Sequence, residues 1–200
     1  MRSDPRTFLC RCALAALIVL PAAGIVLRGD SCAAEPRTSA PTEYQVKAAF
    51  VYNFIKFVEW PDGGRGGKLP EDAVSLCVLG GLPDKASFEA LDGQEIAGKR
   101  LSVEFLAASE EARDCAVLFL PSGASKRLPD VLEVLKGRPV LTIGDTDGYA
   151  RRGVMINMYL ENKRVRFEIN AESAGAAGLR ISAKLFSLAG TVYGVSRTGK

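Results

Sequence analysis

The sequence predicts an α/β domain: a three-layer sandwich whose mostly parallel, mixed sheet is flanked by helices. Three observations predict it. Solid apolar runs such as Cys115–Leu120 and Val140–Ile143 have the composition of strands buried on both faces. These runs alternate with helical stretches, the order that packs helices onto a parallel sheet. With 48% hydrophobic and 24% charged residues over 200 positions, the chain has globular composition and the length to bury a sizeable core.

The N-terminus reads as an address. Arg2, Arg6 and Arg11 precede an uncharged apolar run from Ala13 to Leu27, followed by the small residues Ser31, Cys32, Ala33 and Ala34. Basic region, apolar region and small-residue site in that order predict a signal peptide over 1–34, cleaved after Ala33 or Ala34, and hence an exported protein. The alternative is an uncleaved anchor, although the run falls short of the about 20 residues a span needs. Residues 35–42 form a proline-bearing linker, and the domain occupies 43–196.

Thr42, with Gln45 three residues on, predicts a capped helix over Glu43–Glu59, stopped by Pro61. At 100° per residue, Gln45, Tyr52, Lys56 and Glu59 share one narrow face. Tyr44, Val46, Phe50, Val51, Phe54, Ile55, Phe57 and Val58 spread over most of the remainder. That arc exceeds the stripe of about 100° that one packed side requires. The helix therefore needs cover on more than one side, from a groove of its own domain, from a partner or from a second copy.

The glycine-rich stretch Asp62–Lys68 reads as a loop. It is no phosphate loop, because Asp62 stands where the first glycine belongs and Leu69 where Ser or Thr belongs. Strands follow at Val74–Leu79, Arg100–Leu106, Cys115–Leu120 and Val140–Ile143, with helices at Asp84–Leu91 and Lys126–Leu135. Val154–Leu160 and Arg164–Ile169 read as a hairpin turning at Glu161, Asn162 and Lys163. From Asn170 to Val192 the pattern is helical, weakened by Gly175 and Gly178. Its core stripe is Ile181, Leu185, Leu188 and Val192, with Arg180, Lys184 and Ser187 on another face. The loops Gly80–Pro83 and Gly144–Gly148 read as turns at strand ends, the place where α/β sheets bind ligands.

Chemistry is constrained by what is missing. The chain contains no histidine, which removes Ser-His-Asp and Cys-His catalysis and the usual zinc sites. Asp145 with Asp147, or Asp130 with Glu133, are carboxylate pairs too commonplace to indicate catalysis. No enzyme activity, cofactor or metal is expected. The net charge is only +3, and several of the arginines sit before residue 35, so nothing favours nucleic acid. After cleavage two cysteines remain, Cys77 and Cys115. In an exported chain they favour one disulfide, closing a loop of about 38 residues and contributing about 4 kcal/mol in the chain-entropy model. Two buried free thiols are the alternative.

The run Glu43–Pro61 strongly resembles the opening helix of the YfiR-like periplasmic family. Gly153–Leu160, Lys163–Asn170, Ala177–Leu185 and Cys115–Leu120 match the same family in the same order. The resemblance implies a dimeric periplasmic α/β protein that binds the periplasmic sensor domain of an inner-membrane diguanylate cyclase and holds the enzyme inactive. It implies an outer-membrane lipoprotein that sequesters the inhibitor, raising cyclic di-GMP and promoting biofilm. It also implies that Cys77 and Cys115 are the pair of the family's structural disulfide. The best-known member's second cysteine pair and its ligand-contacting histidines have no counterpart here.

Two readings follow. The first is a regulatory protein whose partner or dimer surface includes Tyr44, Phe50, Phe54, Phe57, Trp60, Arg180 and Lys184. The second is a periplasmic small-molecule receptor that feeds a histidine kinase or another membrane sensor, its pocket built from the strand-end loops.

Overall fold

A computed structural model of the chain describes residues 40–61 and 72–194. The export segment at 1–34, residues 35–39 of the linker and the loop Asp62–Lys68 lie outside the described residues.

Helix α1 (Glu43–Lys56) begins with a reciprocal cap: the Gln45 amide donates to Thr42 Oγ1 at 3.2 Å, and the Thr42 amide donates to Gln45 Oε1 at 2.9 Å. The helix stops at Lys56 rather than at Glu59, because Val58–Glu59 become strand β1. There follow β2 (Ala73–Leu79), α2 (Ala86–Glu89), β3 (Glu95–Ile96), β4 (Lys99–Leu106), β5 (Val117–Leu120), α3 (Leu128–Val134) and β6 (Leu141–Gly144). The chain continues with β7 (Ile156–Glu161), β8 (Arg164–Asn170), α4 (Ala171–Ala176), β9 (Arg180–Ile181), α5 (Ala183–Leu188) and β10 (Thr191–Tyr193).

Eight strands make one mixed sheet in the order β10-β8-β7-β6-β5-β2-β4-β3. Its middle, from β4 to β7, is parallel, and antiparallel pairs occur at β3/β4 and β7/β8. Alternation along the buried strands builds two cores. Val74, Leu76 and Val78 of β2, with Val117 and Phe119 of β5, pack with Ala48, Val51, Phe54 and Ile55 of α1. Cys77, Leu79, Leu118 and Leu120 face the other way, onto Leu128 and Val131 of α3 and onto Tyr149. Both faces of these strands are covered, which is why their sequences are apolar without a break. Cys77 and Cys115 form a disulfide on the α3 side, with Cα atoms 6.0 Å apart.

Both hairpins turn through two residues with positive φ: Ala97 and Gly98 between β3 and β4, and Asn162 and Lys163 between β7 and β8. Such turns match the twist of the paired strands.

The segment from Asn170 to Val192 departs from the single helix expected of it. Helix α4 gives way at Gly178, whose φ is 74°. Arg180 and Ile181 then pair antiparallel with Glu59 and Val58. Ser182 caps α5, its hydroxyl accepting from the Lys184 amide, and its own amide donates to the Phe57 carbonyl at 2.8 Å. After six residues of helix the chain returns as β10, parallel to β8. The expected stripe is thereby split between two strands and a short helix. Leu185 is buried, Ile181 and Val192 are half-buried, and Leu188 is 59% exposed.

Candidate functional site

Helix α1 is the best-placed element for recognition, because the sheet covers only one of its sides. Ala48, Val51, Phe54 and Ile55 face the sheet. Gln45, Ala49 and Asn53 form an exposed ridge, and a groove runs along each flank of that ridge. One groove, of about 410 Å³, separates α1 from α2 and includes Tyr52, Ser87 and Leu91. The other, of about 460 Å³, separates α1 from α5 and is walled by Phe50, Phe57, Leu185 and Leu188, with Phe54 and Phe167 at its base. The aromatic rings of that base interlock: Phe54 meets Phe167 edge-on at 4.9 Å, and Phe50 lies 5.7 Å from Phe54 and 6.1 Å from Phe167.

The N-terminal half of α1 is anchored by charge. Lys47 Nζ lies 2.8 Å from Asp145 Oδ2 and 2.6 Å from Glu43 Oε1. Tyr44 donates its hydroxyl to the same Asp145 oxygen at 3.2 Å. Burial, reinforced by the Asp145 charge, pushes the Tyr44 pKa up to about 12. Burial also works against the Lys47 ammonium, but its hydrogen bonds to Asp145 and Glu43 outweigh that and hold its pKa above the ordinary lysine value. Asp145 Oδ2 therefore holds α1 to the end of β6, while Oδ1 is buried without a hydrogen-bond partner. Deeper in the sheet, Glu168 accepts from Asn157 and from the Tyr193 hydroxyl, both at 3.0 Å, which ties β10 to β7 and β8.

A family model for YfiR/HmsC-like proteins matches this chain over residues 44–190, from the first turn of α1 to the end of α5. The chain belongs to the YfiR/HmsC-like family. This is a family of regulatory rather than catalytic periplasmic proteins. Among the described residues, no helix of this YfiR/HmsC-like chain is long and apolar enough to cross a membrane. A conserved domain protein from Vibrio cholerae O1 biovar El Tor is similar in fold, with a TM-score of 0.50 and 12% identity, covering 77% of this chain and 61% of that one. The ABC domain in complex with L-Trp from Streptococcus pneumoniae gives a TM-score of 0.47 at 10% identity, covering 74% of this chain and 60% of its own. The chain thus spans about three fifths of the length of these structures.

Within this YfiR/HmsC-like fold the residues expected at a partner or dimer surface fall into three groups. Phe50, Phe57 and Lys184 come together: Phe50 and Phe57 are half-buried at the α1–α5 groove, and Lys184 Nζ sits 5.3 Å from the centre of the Phe57 ring. Phe54 lies at the base of the same groove. It is 1% exposed and packs into the core, because the helical turn that brings it under Phe50 also points it at the sheet. Tyr44, Trp60 and Arg180 lie apart. Tyr44 belongs to the Asp145 anchor. Trp60 donates its indole N–H to the Ala116 carbonyl at 3.3 Å. Arg180 stands on β9, opposite Glu59.

The reading missed Leu188 and Leu160, which are 59% and 52% exposed. Leu160 shares its strand face with the buried Ile156 and Met158 and is exposed because it lies at the hairpin end of that face; Leu188 was hidden inside the supposed helical stripe. The strand-end loop Gly80–Pro83 lies against the turn after β5, a Cβ on Gly123 falling 3.5 Å from the Gly81 carbonyl oxygen.

Proposed function

We propose that this protein is a periplasmic regulator that inhibits an inner-membrane diguanylate cyclase by binding its periplasmic sensor domain. The observation that carries the reading is the groove between α1 and α5, a solvent-facing apolar wall of Phe50, Phe57 and Leu188 in a chain of this regulatory family. Exposed leucines on a rigid frame suit a protein partner better than chemistry. The disulfide between Cys77 and Cys115 agrees with an oxidising compartment, and removal of residues 1–34 at Ala33 or Ala34 would deliver the chain there. Inhibition then works by differential affinity: the regulator binds the inactive sensor more tightly than the active one. An outer-membrane lipoprotein that covers the same face would release the cyclase by competition.

The test is to crosslink the tagged full-length chain in its native host, identify the membrane proteins captured, and measure cyclic di-GMP in the deletion strain and in a Leu188→Asp strain. The expected result is capture of a cyclase, raised cyclic di-GMP on deletion, and the same rise with Leu188→Asp at normal protein abundance. No captured cyclase together with unchanged cyclic di-GMP on deletion would end this reading.

A further inference from the structure

The groove between α1 and α5 continues beyond its own walls. Pro41 and Val46 belong both to it and to a second hollow of about 550 Å³, bounded by Leu160 and Val165 of the β7–β8 hairpin. One apolar trough therefore follows α1 from its first turn to Phe57. The helix has 14 residues, so the trough is about 21 Å long.

Its two ends carry the same sign of charge. Lys163 and Arg164 border the hairpin end, and Lys184 stands over Phe57 at the other. Glu43 lines the hairpin end too, paired to Lys47, and Glu161 is paired to Arg166 at 3.3 Å, so Lys163 and Arg164 leave that end with an excess of positive charge. The trough is thus apolar along its length and cationic at both ends.

We infer that this trough receives an amphipathic helix of a partner protein, a helix of three to four turns whose apolar stripe is flanked at both ends by acidic residues. A helix laid in a groove anchors through side chains at i, i+3 or i+4, and i+7, and a helix of three to four turns matches the length of about 21 Å set by α1. A single-headed amphiphile would satisfy one cationic end and leave the other unmatched. A second copy of this chain fits poorly: laid antiparallel, its Lys184 would meet Lys163 and Arg164, and laid parallel, each lysine would meet its own kind. The inference rests on the regulatory reading and adds the chemistry of the partner.

The experiment uses the full-length chain processed in its host, and three labelled peptides of equal length. The first has a leucine stripe with glutamates at both ends, the second the same stripe with lysines at both ends, and the third a scrambled stripe with glutamates. Binding is read by fluorescence anisotropy at low salt. The expected order is acidic-flanked tightest, with the lysine-flanked peptide weaker by about fivefold or more, as two exposed charge pairs allow. Arg164→Glu with Lys184→Glu should invert that order, and Leu188→Asp should weaken both stripe peptides. Equal binding of the two stripes, binding of the scrambled peptide as tight as the acidic stripe, or a stable dimer in sedimentation whose contact is broken by Leu188→Asp overturns the inference. The charge-reversed variant is also expressed in the host. If it still captures and inhibits a cyclase, the helix assignment fails while the regulatory reading stands. If the wild-type chain binds the acidic peptide but captures no cyclase, the regulatory reading fails and the trough remains a helix site for another protein.

Discussion

Lys47 Nζ and Asp145 Oδ2 lie 2.8 Å apart with side chains only 6% and 1% exposed, which makes this pair the electrostatic bolt between α1 and the end of β6. Breaking a pair so well shielded strands a charge that water cannot reach. Lys47→Met should lower unfolding stability by about 3 kcal/mol, partly relieved because Tyr44 also donates to Asp145. Adding Asp145→Asn should recover much of the loss. Urea unfolding of the two single variants and the double variant measures the coupling, and simple additivity would show that the pair does not act as a unit.

The same cluster sets an alkaline limit. Tyr44 has its pKa raised to about 12, first by burial and then by Asp145, and Lys47 is raised by its carboxylate partners in excess of its burial penalty. For both groups the folded state holds its proton more tightly than the unfolded state. Their contribution is complete below about pH 10 and is lost as pH climbs through the folded values. Stability should fall between about pH 10 and 12, and Tyr44→Phe should flatten that fall. Stability followed against pH by circular dichroism checks it; a Tyr44→Phe curve superimposed on the wild type would remove Tyr44 from the account.

The disulfide staples β2, at Cys77, to the residue that ends the turn before β5, across 38 residues. Replacing both cysteines with alanine should cost about 2–4 kcal/mol, the range for loops of this size. The loss should appear as a lower urea midpoint under oxidising conditions and vanish when both proteins are compared in reductant.

Ala97 sits at φ 50° in the two-residue turn between β3 and β4, a conformation that asparagine tolerates and alanine resists. Ala97→Asn should stabilise the domain by about 0.5 kcal/mol, and Ala97→Val should destabilise it by more. Thermal unfolding of the two variants should move in opposite directions.

Gly144 closes β6 directly beneath the fully buried Tyr149 ring, so a methyl group there would collide with Tyr149 Cδ2 and press on Asn157 Oδ1 at 3.2 Å. Gly144→Ala should cost about 2 kcal/mol through displacement of that ring. Near-ultraviolet dichroism should change with it, because Tyr149 is the aromatic displaced.

How much of this was legible follows from where the information lies. The parallel centre of the sheet was readable because strands such as Val117–Leu120 are buried on both faces and say so in an unbroken apolar run. The cap at Thr42 and the turn at Asn162–Lys163 are local chemistry and were equally plain. The segment after Asn170 was opaque because its strands are defined by partners far away in sequence. Arg180–Ile181 is a strand only because Val58–Glu59 lies beside it, and those two residues themselves looked like the end of α1. β3 failed for the same reason, being two residues long and extended only by pairing with β4. Of the site, Phe50 and Phe57 were visible as surplus apolar surface on α1. Leu188 was not, since a periodicity of four and three cannot report that Gly178 has already broken the helix.

The two-stranded ribbon that joins Val58–Glu59 to Arg180–Ile181, with the Ser182 amide bonded to the Phe57 carbonyl, clasps the far end of α1 to the start of α5. It makes the trough a mould of set width rather than a pair of jaws. On the proposed reading nothing would have to close at that end when a partner arrives, so the ordering cost of association would fall mainly on the incoming chain. If the proposed partner helix docks there, a regulator built this way would respond to whether that segment is folded and within reach, and the timing of the signal would belong to the partner.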